Sequence, residues 1–123
     1  MVIELSPIQH VPPPIALPRD CYLLQTSILA GSEYYQFQDL DRNALDVGTT
    51  LTLIAEPANP HDQYAVRVQL VSIHLGYLPR TSNHIVSLLL QQGAPLQARV
   101  AWLNHESDPP LTLHVLLKKD PQT

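Results

Sequence analysis

Hydrophobic and polar residues alternate along most of the chain after residue 20, and this two-residue period predicts β-strands. Glycine, proline, asparagine and aspartate separate the alternating runs, as expected for turns. Residues 38–48 are predicted to form a loop or a single helical turn, and residues 56–62, which contain two prolines, a turn. The predicted strands cover residues 22–29, 34–37, 50–55, 65–71, 74–78, 96–103 and 111–117.

One segment has the period of a helix instead. Residues 82–92 place a set of apolar side chains on one helical face: Ile85, Leu88, Leu89 and, as an option, Val86. Thr81 or Ser82 is the predicted N-cap, and Gly93 is the predicted stop. Since a small sheet must close or cover its edges, we predict a mostly β fold, a barrel of six or seven short strands with one inserted α-helix.

Proline content divides the chain into three parts. Five of the first twenty residues are proline, which fixes φ and removes a backbone donor. We expect residues 1–20 to form an extended or polyproline-like arm, residues 21–118 to form the β-domain, and residues 119–123 to form a tail.

Composition limits the class of protein. The 123 residues suffice for one hydrophobic core, and 45% of them are hydrophobic. No apolar run reaches the length of a membrane-spanning helix, so no membrane partner is expected. The first residues contain Glu4 and no lysine or arginine before Arg19, which argues against a signal peptide. The single cysteine, Cys21, cannot form an internal disulfide, and we therefore expect an intracellular, cytoplasmic protein.

The net charge of −4 restricts the choice of partners. Seven lysines and arginines are outnumbered by eleven aspartates and glutamates, whereas proteins that bind phosphates usually present a basic face. Nucleic-acid binding would therefore depend on a small local site, and wrapping of a duplex is disfavoured.

Residues that enzymes and metal sites require are sparse. The four glycines form no phosphate-binding loop, and six histidines without close pairing argue against a structural metal. A small hydrolase that uses Cys21 with a distant histidine lacks a complete catalytic set, and the cysteine is expected to pack as a small hydrophobe. We predict no catalytic residue, no metal and no cofactor.

Two blocks of sequence indicate a family. Asn-Pro-His-Asp-Gln-Tyr-Ala-Val-Arg-Val at 59–68 is followed by Leu-Gly-Tyr-Leu-Pro-Arg at 75–80, and over residues 22–103 the chain resembles a HIRAN domain. The resemblance implies an OB-like β-barrel, which stands alone or is fused to Snf2-type motors, nucleases or RING segments. Further segments occur in the order typical of the family: Ala30-Gly31, Tyr34-Tyr35, 51–57 and 93–100.

The resemblance also implies a ligand and a site. In the DNA-binding example of the family, the domain holds a free 3′ end of single-stranded DNA, and a helicase or nuclease is the implied protein partner. Tyr34 and His61 match base-stacking positions, and Asp62 matches the carboxylate that accepts a hydrogen bond from the terminal hydroxyl. Tyr77 and Arg80 match polar or basic positions along the phosphate path. The implied nucleic-acid-binding residues are Tyr34, Asn59, His61, Asp62, Tyr77 and Arg80.

Two residues depart from the family pattern. Glu33 stands where the DNA-binding example has an arginine, and His61 offers a smaller stacking surface than tyrosine. Considered without the resemblance, Asp62 is better explained as a cap of its own turn, and Arg80 as a solvated surface residue. A second hypothesis therefore stays open: a protein or peptide interaction module that keeps the barrel and has lost the DNA groove.

Overall fold

The computed structural model describes residues 17–119, which form one antiparallel sheet and one α-helix. The strand order is β1-β6-β5-β2-β3-β4, and the helix α1 (His84–Gln91) lies between β4 and β5 in the chain. The predicted mostly β, OB-like fold with one inserted helix is confirmed. The six strands are β1 (Cys21–Ile28), β2 (Thr50–Ala55), β3 (Val66–Leu70), β4 (Ile73–Tyr77), β5 (Leu96–Leu103) and β6 (Leu111–Lys118).

A β-bridge between Ala30 and Tyr77 joins the two outer strands of this sheet. Ala30 follows β1 and exchanges both backbone hydrogen bonds with Tyr77, at 2.8 and 2.9 Å. Gly76 lies directly under this contact, since a β-carbon there would be 2.5 Å from the Ala30 carbonyl oxygen. The bridge gives the sheet a barrel-like closure because it connects the strands at its two ends.

Alternation decides which side chains fill the interior. Val66 and Val68 of β3 and Val100 of β5 are buried, as the two-residue period predicts. Burying one such side chain contributes about 1.5–3 kcal/mol relative to leaving it in water. The strands and the segment after β1 together supply most of the core: Leu29, Leu51, Leu53, Val66, Val68, Leu75, Ala98, Val100, Leu111, Leu113 and Val115.

The strand predicted at 34–37 is wrong. Two short 3-10 helices occupy this region, at Ser32–Tyr34 and Gln36–Asp39. Gly31 has a φ of 74°, which turns the chain away from the strand direction, and its carbonyl accepts a hydrogen bond from the backbone N–H of Tyr34.

The helix is shorter than predicted and buries only part of the predicted face. The N-cap is Asn83, and the predicted N-cap at Thr81 or Ser82 is wrong. Val86 is buried, and Leu90, four residues later on the same face, packs against the core. Two residues of the predicted apolar face are instead exposed, Ile85 at 63% and Leu88 at 38%.

The predicted arm (1–20) and tail (119–123) lie mostly outside the described residues. Only residues 17–20 of the arm and Lys119 of the tail belong to the described part of the chain. Between residues 17 and 119, no helix combines the length and apolar character that crossing a membrane requires.

Candidate nucleic-acid interface

A cavity of about 300 Å³ opens beside the bridge that closes the barrel. Ala30 and Tyr77, the two residues of the bridge, both line it. The remaining lining comes from the 3-10 segment after β1, the turn between β2 and β3, and the segment after β4. Every residue that the family resemblance singled out lies on this cavity: Tyr34, Asn59, His61, Asp62, Tyr77 and Arg80.

Two adjacent tyrosines take different positions at the cavity. Tyr34 is 78% exposed, so its ring offers an open face to a flat ligand group. Tyr35 stacks on His74 of β4, with ring centroids 4.0 Å apart, and meets the ring of Tyr77 edge-on. Burial and the nearby charge of Arg67 lower the pKa of His74. Tyr34 is therefore the free ring and Tyr35 a supporting one.

Side-chain caps shape the turn between β2 and β3, as its composition predicted. The Asn59 side chain accepts a hydrogen bond from the backbone N–H of His61 at 2.8 Å. The Asp62 side chain accepts one from the backbone N–H of Tyr64 at 2.9 Å. These caps stabilise the turn that carries His61, which is exposed and lines the cavity.

The Asp62 carboxylate is held by two different elements. One oxygen binds the Tyr64 backbone, and the other accepts a hydrogen bond from the side-chain amide of Asn83 at 2.8 Å. The nearest guanidinium nitrogen of Arg80 is 3.9 Å away. Each carboxylate oxygen can accept two hydrogen bonds, so Asp62 is a fixed acceptor with capacity left for a ligand. Capping its turn and lining the cavity are compatible roles.

Glu56, which the sequence indicated only as part of a turn, organises this side of the cavity. Its carboxylate accepts hydrogen bonds from the Tyr77 hydroxyl at 2.7 Å and from the Asn59 amide at 3.0 Å. Arg67 donates to the same carboxylate at 2.7 Å. Arg67 and Tyr77 are direct partners in the register of β3 and β4. A prediction of how these two strands pair would therefore have indicated the network.

The network changes the acidity of its members. Burial alone would raise the pKa of Glu56, but hydrogen bonds from Tyr77, Asn59 and Arg67 outweigh it, and the pKa lies below its ordinary value. Burial, followed by the hydrogen bond and charge of Glu56, raises the pKa of Tyr77 to about 12. The glutamate is therefore charged, and the tyrosine neutral, at physiological pH.

The charges around the cavity are nearly balanced. Arg67 is neutralised by Glu56, whereas Arg80 is 72% exposed and faces the cavity. Among the described lining residues, Arg80 is the cation with a permanent charge, and Asp62 is the carboxylate. The site is concave without being strongly basic. Arg80, the permanent cation of the described lining, can pair with one phosphate.

A second pair of rings lies next to Asp62. Tyr64 and His84 stack with centroids 3.9 Å apart and planes 20° from parallel. The sequence does not predict this pair, because Tyr64 lies in the turn and His84 lies at the start of α1, and only the fold brings the two rings together.

Cys21 does not have the surroundings of a nucleophile. The thiol is buried, and its polar contacts within the described part of the chain are Asp20 and Gln97. Burial, with the charge of Asp20, raises the pKa of the Cys21 thiol and so suppresses the reactive thiolate.

Comparison with known proteins gives a family and two similar structures. The HIRAN domain family model matches residues 23–120. A structural-genomics crystal structure of a protein from Lactobacillus plantarum is 26% identical, with a TM-score of 0.73 over 81% of this chain and 97% of that one. The crystal structure of the HIRAN domain of human HLTF is 18% identical, with a TM-score of 0.64 over 82% of each chain. Curated proteins gave no match.

These comparisons agree with the residues quoted from the sequence. The family match covers nearly all of the described chain and reaches beyond the residues 22–103 that suggested the resemblance. HIRAN domains are generally nucleic-acid-binding modules rather than catalytic domains. The similarity to the human domain shows that the two chains share a fold. This chain belongs to the HIRAN domain family.

Proposed function

We propose that this chain binds the 3′ end of single-stranded DNA, with the terminal nucleotide in the cavity beside the barrel closure. The observation that carries the proposal is the convergence of six residues from three separate segments on one cavity. A volume of about 300 Å³ lies at the lower end of the range for ligand sites, which suits a terminal nucleotide and excludes a duplex. A helicase or nuclease that acts on the same strand is the protein partner this role implies.

Base stacking supplies most of the affinity in this proposal. Tyr34 presents an open ring and His61 an exposed one, both at the cavity. Stacking on an aromatic ring contributes about 1–3 kcal/mol per base and tolerates any base sequence. Binding should therefore be insensitive to the identity of the terminal base.

Asp62 gives the preference for a terminal hydroxyl. Its carboxylate is held by Tyr64 and Asn83, so it meets a hydroxyl donor without reorganising. A 3′-phosphate would bring a like charge against the same oxygens, which disfavours binding. The free 3′-hydroxyl is thus the recognised feature.

Arg80 is the residue for the phosphate. With one permanent cation on the described lining, we expect a salt dependence of about −0.7 in log affinity against log salt, the value for one phosphate of a single strand. Arg80→Ala should remove this dependence while stacking on Tyr34 continues. A slope several times steeper in the wild-type protein would contradict the single-phosphate site.

Fluorescence anisotropy with two labelled oligonucleotides tests the proposal. The wild-type protein should bind the 3′-hydroxyl form about tenfold or more tightly than the 3′-phosphate form, since a hydrogen bond to a charged group contributes about 1.5–3 kcal/mol. Asp62→Asn should abolish the difference. Asp41→Asn is the matched control, because Asp41 also caps a turn but does not line the cavity.

Equal affinity of the wild-type protein for the two oligonucleotides would overturn the 3′-end assignment. Undetectable binding of both, with capture of a protein partner that survives nuclease treatment, would favour the protein-interaction hypothesis instead.

A further inference from the structure

We infer that the rings of Tyr64 and His84 form a second base-stacking subsite, which holds a nucleotide of single-stranded DNA beyond the first two at the 3′ end, those that the cavity and Arg80 accommodate. This inference rests on the proposed function. It assigns to the start of α1 a contact with the strand as the strand leaves the cavity.

The ring pair has one free face. Tyr64 covers one side of the His84 imidazole, with centroids 3.9 Å apart and planes only 20° from parallel. His84 is nevertheless exposed to solvent, whereas Tyr64 is half-buried. Because Tyr64 covers one face of the imidazole, the opposite face is the one on which a base can stack. A base that stacks there extends a column that Tyr64 already supports from below.

Asp62 connects the ring pair to the cavity. One of its oxygens binds the backbone of Tyr64, and the other binds Asn83, the residue before His84. The carboxylate that lines the cavity therefore anchors both segments that carry the rings.

In the sequence, Arg80 lies between Tyr77, which lines the cavity, and His84, which begins α1. It lines the cavity, and the segment that follows it leads through the anchored Asn83 to His84. The Arg80 side chain is 72% exposed, and its nearest guanidinium nitrogen lies 3.9 Å from the Asp62 carboxylate. We therefore place the third nucleotide of a strand on the exposed face of His84 when the strand's end lies in the cavity and its first phosphodiester group meets Arg80.

A purely structural role for the ring pair makes different predictions. Stacking between Tyr64 and His84 fastens the turn to the helix, so loss of either ring would lower stability and weaken every ligand equally. A second subsite instead weakens only ligands long enough to reach it. Ligand length therefore separates the two explanations.

The experiment compares a thymidine dinucleotide with a hexanucleotide, both with a free 3′-hydroxyl, in fluorescence anisotropy. His84→Ala should weaken the hexanucleotide about 5- to 150-fold, the range for one stacked base, and leave the dinucleotide unchanged. His84→Phe should restore hexanucleotide binding because it keeps a flat ring. Ile85→Ala is the matched control, since Ile85 is an exposed neighbour on the same helix and should change neither affinity.

Tyr34→Ala separates failure of this inference from failure of the proposed function. If Tyr34→Ala weakens both oligonucleotides while His84→Ala weakens neither, or both by the same factor, the second subsite is wrong and the cavity assignment stands. If the wild-type protein binds neither oligonucleotide, the proposed function fails, and the second subsite fails with it. Thermal unfolding of each variant is the stability control. If His84→Phe and His84→Ala unfold at the same temperature, a difference in their affinities comes from the flat ring and not from stability.

Discussion

Gly76→Ala is expected to lower the free energy of unfolding by about 3 kcal/mol, near the upper end of what an overpacked methyl group costs. The added β-carbon would lie 2.5 Å from the Ala30 carbonyl oxygen and 2.9 Å from Cδ1 of Leu29. The first of these atoms is backbone and already accepts a hydrogen bond from Tyr77. It cannot retreat without breaking the bridge that closes the barrel. Equilibrium denaturation in urea measures the loss.

Gly48→Ala is the control for this substitution. Gly48 has a φ of 93°, but a β-carbon added there would have no atom within 4 Å, so alanine suffers only backbone strain, about 1 kcal/mol. Gly76→Ala should also weaken oligonucleotide binding, because Ala30 and Tyr77 both line the cavity. If Gly76→Ala costs no more than Gly48→Ala, the close approach at the bridge does not matter for stability.

Glu56→Gln is expected to produce the second largest effect, a loss of about 2 kcal/mol of unfolding free energy. Glutamine keeps the shape but removes the charge that holds Arg67, and it weakens the hydrogen bonds from Tyr77 and Asn59. Glu106→Gln is the matched control. Glu106 pairs with Arg42 while both are well exposed, and such pairs contribute little. Equal losses in the two variants would contradict a special role for Glu56.

The same network sets the pH dependence of stability. The pKa of Glu56 is lowered by folding, so its contribution is present above the pKa of an unfolded glutamate and is lost as pH falls through the lower folded value. The pKa of Tyr77 is raised to about 12, so its contribution is complete below the ordinary tyrosine value and is lost as pH rises toward 12. The network is thus fully effective at neutral pH.

Tyr77→Phe provides the measurement at alkaline pH. The wild-type protein should lose stability between about pH 10 and pH 12, because Tyr77 ionises in the unfolded chain while it stays neutral beside Glu56 in the folded one, and the phenylalanine variant should lose less over that interval. Tyr34→Phe is the comparison, because Tyr34 is largely exposed. If the curves of Tyr77→Phe and wild type run parallel, the hydrogen bond to Glu56 is not holding the phenol neutral.

The strands were predictable because their alternation follows from burial on one side. Thr50–Ala55 was predicted with its observed bounds, and the strand at Val66–Leu70 nearly so. The helix position was predictable, but its buried face was predictable only in part, through Val86. The contact of Asn83, the N-cap, with Asp62, 21 positions away, is not visible in the helical period. The aromatic segment at 34–37 failed because a turn at Gly31 overrides its β-propensity.

The candidate site was predictable only through the family resemblance. Nothing in the spacing of Tyr34, Asp62 and Arg80 indicates that they meet, because the barrel closure is what brings their segments together. Glu56 was missed because its importance comes from cross-strand partners, which a linear reading does not reveal. The six predicted residues share one cavity, while their individual roles remain predictions.

The bridge between Ala30 and Tyr77 ties ligand binding to the opening of the barrel. Two backbone hydrogen bonds hold this junction, and residues from both of its sides line the cavity. A strand end bound there would have to leave before the junction separates. Amide hydrogen exchange at Ala30 and Tyr77 should therefore slow by a factor of one plus the ratio of free ligand concentration to Kd. A bound DNA end would thus stabilise the same junction that forms its binding site.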